Sequence, residues 1–319
     1  MPNDSRATKA QRQAAARARA TELRRQQERS AQRHRFIAIG VAVFVVLVIV
    51  AAVGIVLNQG HHTSVQYASA AYGGPDSANS GLVRPDLSAV QAPGIANSTG
   101  GIPISANGVG KVGTGTTVLQ VYFDLQCPVC ADFDSINAAD LTALAQEPGI
   151  TVVYQPLAFL DNYSKDTRYS SRAANALMTV ADQDPSHFTG FLTALFKNQP
   201  AENTAGKTDA QIAQVALGAG VPQSVVNRFT TTISGSYQLQ DATGATTDNT
   251  GSWRTFSPWI AAATGYAATQ PVFSSGVGTP TLVLNGTQIG AGGSDGVNWQ
   301  SSGSLRSYVE KIASQAASQ

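Results

Sequence analysis

The sequence points to an α/β domain with a helical insertion, set behind a single transmembrane helix and a flexible linker, and three features carry that expectation. An uncharged run of 22 residues, Phe36 to Leu57, follows an arginine-rich start. Further along, the β-rich run TTVLQVYFDLQ leads straight into Cys127-Pro128, a helix-start signal, and a second β-rich run comes after that helix. Near the end, TLVL, Asn285-Gly286 and TQIG read as a hairpin before a last amphipathic stretch.

The first 35 residues hold ten Lys/Arg against three acids, and the remainder eleven against seventeen. The net charge of +1 therefore hides a basic tail and an acidic body. As a helix the run 36–57 spans about 33 Å, one bilayer crossing. It is too long for the apolar core of a cleaved signal peptide, and the small-residue triplet Ala68 to Ala70 lies too far beyond it, so an uncleaved signal-anchor is expected. Arginines flank its N-terminal side and none come directly after it, so residues 1–35 are expected in the cytoplasm and the rest outside. Residues 58–100, rich in Gly, Ser, Ala, Pro and Asn, read as a flexible extracytoplasmic linker. His61 and His62 within it read as incidental.

The domain proper is expected over 101–319. Pro128 suits the first helical position, and Phe133, Ile136, Leu141 and Leu144 keep helical spacing until Glu147-Pro148-Gly149. ITVVYQPLAF gives the next strand, completing a strand–helix–strand unit with CPVC at its first turn. From about 161 to 276 the pattern is mostly helical: SSRAANALMTVADQ, SHFTGFLTALFKNQ, TDAQIAQVALGAG, QSVVNRFTTTISG and WRTFSPWIAAATGYAAT read as helices, with QDATGATTDNTGS as a loop. Leu305, Tyr308, Val309 and Ile312 share one face of the final helix.

Cys127 and Cys130 are the chain's two cysteines. Zinc needs four ligands, and beyond this pair the outer part offers only His61, His62 and His187, without metal spacing. Residue 131 is alanine, which rules out covalent haem attachment through CxxCH. A static staple would close too short a loop to remove much chain entropy. A redox dithiol fits, needing neither cofactor nor metal. A thiolate is stabilised where unpaired backbone N–H groups and the positive end of a helix dipole converge. Cys127 is therefore read as the nucleophile and Cys130, one turn on, as the resolving thiol. The acidic outer part offers nothing to nucleic acid.

The segments VYFDLQCPVCADF and GVGTPTLVLNG resemble the thiol:disulfide oxidoreductases of the DsbA type, within the thioredoxin fold, over roughly 101–319. The resemblance implies that Pro280 is a cis-proline facing the CPVC, and that the backbone at Thr279 pairs with the client chain. It also places the family's buried acid, six residues before the nucleophile, at Val121, so proton transfer at Cys130 would fall to water, Asp124 or another acid. Pro128 and Val129 supply neither charge nor side-chain donors to tune Cys127. Asp124, Asp132 and Asp134 read equally as tuning groups and as ordinary complements of the helix dipole. Trp253 and Trp259 read as packing rather than as a peptide groove.

The function expected is disulfide exchange with unfolded or thiol-containing secreted and surface proteins, in the oxidising direction, with a membrane redox partner recycling the pair. A reductase or isomerase would use the same residues. The other class is a non-catalytic thioredoxin-fold module that binds peptide or metal, and an intact CxxC argues against it.

Overall fold

The structure is a computed structural model that describes residues 66–115, 117–290 and 297–318. The basic tail and the run 36–57 lie outside the described residues, among which no helix is long and apolar enough to cross a membrane.

Eight-residue runs of apolar and β-branched residues build the centre of the sheet. Strand β3 (Thr117–Asp124) pairs in parallel with β4 (Ile150–Leu157), whose residues are all buried. Short β1 (Ile102–Ser105) and β2 (Gly108–Val109) extend the β4 side. On the other side β3 pairs antiparallel with β7 (Thr281–Leu284), and β7 with β8 (Thr287–Ile289), giving the order β2-β1-β4-β3-β7-β8. The β7–β8 turn holds Asn285 and Gly286 at φ 50° and 83°, the left-handed values a two-residue hairpin turn requires.

Helix α1 (Pro128–Gln146) joins β3 to β4 and buries Phe133, Leu141 and Leu144 in the core. The last helix, α7 (Ser304–Ala317), packs beside α1 through Leu305 and Val309, with Tyr308 and Ile312 against the same core. Between β4 and β7 the insertion supplies α2 (Tyr169–Gln183), α3 (Phe188–Lys197), α4 (Asp209–Gly218), the single turn α5 (Gln223–Val226) and α6 (Ser257–Ala268). Helix α2 is buried over nearly its whole length, so the insertion and the sheet share one core.

Two expectations need correction. The stretch read as a helix over QSVVNRFTTTISG stops after α5, and the chain then enters a hairpin of β5 (Thr232–Gln240) and β6 (Thr246–Arg254). Its β-branched run prefers an extended backbone. The expected loop QDATGATTDNTGS is in fact mostly strand β6, with only residues 241–245 forming the turn, where the Asp241 carboxylate accepts from the N–H groups of Thr243 and Ala245 at 2.8 and 3.0 Å. Trp253 lies across Gly235 and Gly251, which pair with each other; a Cβ at Gly235 would meet its ring at 3.1 Å.

The second correction concerns the linker 58–100, which from residue 66 onward is packed rather than free. Tyr67, Ala70, Ala71 and Tyr72 are buried. The Arg172 guanidinium sits 4.1 Å from the centre of the Tyr67 ring, and Tyr72 meets Trp253 edge-on at 4.8 Å. Val83 donates its N–H to the Gln238 carbonyl at 2.9 Å, lengthening the hairpin sheet by one bridge. This stretch shows no hydrophobic period because its regular elements are two short 3-10 turns, Gly74–Ala78 and Leu87–Ala89. Its scattered aromatics and alanines fill sites made by the insertion.

Candidate active site

Strand β3 ends at Asp124, and the chain turns through Leu125 and Gln126 into Cys127, whose N–H donates to the Asp124 carbonyl at 3.0 Å. Cys127 is the N-cap of α1 and Pro128 the first helical residue, where a missing N–H costs no hydrogen bond. Pro128 and Val129 are exposed at the rim while Cys127 and Cys130 are buried, Cys130 the more deeply at 1% exposure. Both are free thiols.

From the other end of the domain, β7 brings Thr279 and Pro280 to the same place. The Cys127 thiol donates to the Thr279 carbonyl at 3.2 Å, and the Thr279–Pro280 peptide is cis. The Thr279 hydroxyl is buried without a hydrogen-bond partner.

This surrounding pushes the two sulfurs apart in acidity. The Cys127 thiol is lowered to about 6, first by the hydrogen bond from Cys130, then by Thr279 and the N–H groups of Cys130 and Val129; burial opposes them. Burial raises Cys130, and the charge of the Cys127 thiolate raises it further. One sulfur is prepared to ionise and its neighbour to stay protonated, the division of labour a dithiol exchanger needs.

Asp124 closes β3, three residues before Cys127. Its carboxylate is fully buried and accepts from the Gln126 and Leu160 N–H groups at 2.9 and 3.1 Å and from the Ser170 hydroxyl at 2.6 Å. Burial raises it to about 7 despite those donors. Val121 is buried in β3, and the Asp124 carboxylate is engaged by Gln126, Leu160 and Ser170 rather than by either cysteine. Asp134 instead faces a cleft of about 270 Å³ between α1 and α3, where it accepts from the Thr193 hydroxyl at 3.2 Å and burial raises it to about 6. Asp132 is exposed. Neither tryptophan joins the site: Trp253 packs with Tyr72 and Tyr237, and Trp259 is buried in the main core.

Two glutamines that sequence reading passed over also bear on the turn. The Gln126 amide donates to the Tyr163 carbonyl at 2.9 Å, and the Gln199 amide to the carbonyls of Leu125 and Cys127 at 3.0 and 2.9 Å. No local pattern marks either residue, since each acts on backbone far away in the sequence.

A family model described as Thioredoxin matches residues 114–298, which covers both the CPVC turn and the Thr279–Pro280 peptide. The chain belongs to the thioredoxin family. Among the relatives of this thioredoxin-family chain is the serine/threonine-protein kinase PknE of Mycobacterium tuberculosis, 34% identical over 115 residues. That match takes in 35% of this chain and 20% of the kinase, so the chain spans about a fifth of the curated relatives it matches. Among solved structures, reduced DsbA from Mycobacterium tuberculosis aligns at 23% identity with a TM-score of 0.48, covering 69% of this chain and 98% of that one. The reduced disulfide bond oxidoreductase DsbG from the same organism aligns at 25% with a TM-score of 0.44, covering 64% and 84%.

Proposed function

We propose that the protein is a membrane-tethered thiol:disulfide oxidoreductase that inserts disulfides into secreted or surface proteins outside the cytoplasm. The observation that carries this reading is the Cys127 thiol, lowered to about 6 at a helix start beside a resolving Cys130 that burial keeps protonated. A stabilised thiolate favours the reduced form of the enzyme, which makes its disulfide a good oxidant. That favours the oxidising direction over reduction or isomerisation.

In the oxidised enzyme a client thiolate attacks Cys127 Sγ. The Cys127–Cys130 bond breaks, Cys130 leaves and takes up a proton, and a client–Cys127 disulfide forms. A second client thiolate then attacks the client sulfur of that bond and releases the Cys127 thiolate. The client has lost two electrons and the enzyme holds them as its dithiol, to be passed to a membrane redox partner. The backbone at Thr279 and Pro280, beside Cys127, is the edge on which an extended client would lie. The basic tail 1–35 and the run 36–57 would anchor the enzyme with its N-terminus inside.

Cys127→Ser should abolish exchange, and Cys130→Ser should accumulate client disulfides through Cys127. An active Cys127→Ser variant together with no trapping by Cys130→Ser would overturn the assignment. The topology has its own test: protease added to intact cells should digest the chain beyond about residue 60 and spare the first 35, and protection of the C-terminal domain would refute the anchoring.

A further inference from the structure

The turn Leu125, Gln126 and Cys127 at the helix start is held from both sides by the insertion. Gln126 reaches out to the Tyr163 carbonyl, in the turn where the insertion begins. Gln199 reaches in from the loop after α3, with one amide nitrogen on two carbonyls, Leu125 at 3.0 Å and Cys127 at 2.9 Å. Gln199 is itself fixed: its N–H donates to the Phe196 carbonyl at 3.0 Å, and the Phe196 ring packs edge-on against Phe123 of β3 at 5.8 Å.

The Cys127 carbonyl also accepts the first helical bonds, from the N–H groups of Cys130 at 3.0 Å and Ala131 at 3.3 Å. With its carbonyl held between the Gln199 amide and the first turn of α1, Cys127 is fixed at the helix start, where its thiol meets the Thr279 carbonyl at 3.2 Å.

We infer that Gln199 is a positioning residue of the redox turn, a splint through which the insertion holds the Cys127 backbone, and with it the sulfur, at the helix start. It touches neither client nor sulfur and acts through the Cys127 peptide. The inference rests on the dithiol chemistry proposed above, and it gives the insertion a duty besides covering the sheet. The titratable groups around this turn are Cys130 on α1 and Asp124 at the end of β3, with Lys197 and Glu202 flanking Gln199 along the chain.

The test uses the full-length reduced protein, whose two cysteines make thiolate absorbance specific to the pair. Gln199→Leu keeps the bulk and removes the donors; Gln199→Glu keeps the length and sets a carboxylate against two carbonyls. The first apparent thiol pKa should rise by about one unit in the leucine variant, roughly tenfold less thiolate at a pH well below it, and further in the glutamate variant. Equilibrium with glutathione should shift toward the enzyme disulfide in the same order. Wild-type titration in a folded Gln199→Leu protein overturns the inference, whatever its melting temperature does, because a merely structural role would lower stability alone. If the glutamate variant fails to fold, the leucine variant decides. Because the readout is titration rather than client turnover, its failure is distinct from a failure of the oxidoreductase reading, which shows in the wild-type exchange assay.

Discussion

Thr279 offers its carbonyl to the Cys127 thiol at 3.2 Å while its own hydroxyl lies buried without a partner. A buried unpaired hydroxyl costs free energy, and it stops costing when a thiolate forms beside it and accepts its hydrogen bond. The same residue thus meets both protonation states, with an acceptor for the thiol and a donor for the thiolate.

Thr279→Val removes the donor and keeps the carbonyl. The Cys127 pKa should rise above about 6, while stability at pH 5, where the thiol is protonated, should change little because no made hydrogen bond is lost. Thiolate absorbance against pH and urea unfolding at pH 5 check both halves. An unmoved thiol pKa would remove Thr279 from the tuning of the sulfur.

The depressed thiol also makes the stability of the reduced protein depend on pH. The folded value of about 6 lies below the unfolded thiol value of about 8.5. The contribution is therefore full above about pH 8.5 and lost as pH falls through 6, with a slope of at most about 1.4 kcal/mol per pH unit between. The difference in unfolding free energy between reduced and oxidised protein isolates it, since the disulfide does not titrate. That difference should shift toward the reduced form as pH rises from 6 to 8.5, and a flat difference would contradict the acidified thiol.

Asp124 has the opposite sign. Its folded value of about 7 lies above the ordinary 3.8, so between about pH 4 and 7 the folded state holds a proton that the unfolded state releases, and stability falls as pH rises. Asp124→Ala orphans the Gln126 and Leu160 N–H groups, at a cost of about 3 kcal/mol. The cost should be larger at pH 5 than at pH 8, because at pH 8 the wild type bears a buried charge that the variant lacks. Chemical denaturation at the two pH values checks the order.

Asp209 holds two arginines of the insertion, Arg172 at 3.1 Å and Arg254 at 2.7 Å, whose side chains are 0% and 7% exposed. Removing the shared carboxylate takes from two buried guanidinium groups their ion-pair partner. Asp209→Ala should cost about 2–3 kcal/mol, below the range for a fully buried pair because Asp209 is partly exposed. Urea unfolding measures it. A loss within about 0.5 kcal/mol, the ordinary range for surface substitutions, would mean that water reaches the arginines.

The features legible in the sequence are local in their physics. Alternating or continuous β-branched runs made β3, β4 and β7; Pro128 after Cys127 set a helix start; Asn285-Gly286 set a turn. Each depends on a preference of a few neighbouring residues, so each could be read in place. Tertiary contacts settled whatever needed a partner far along the chain. Thr279 meets Cys127 across 152 positions and Gln199 meets it across 72. The stretch from residue 66 looked free because its burial belongs to surfaces that Arg172 and Trp253 provide. The hairpin β5–β6 begins in a β-branched run, Thr230 to Ile233, that favours extended backbone locally, but its partner strand and the Trp253 ring over two paired glycines are contacts no local propensity contains. Spacing within one turn of helix could place two thiols together, but the acidity that separates them arises from burial and from donors that only the folded chain brings within reach.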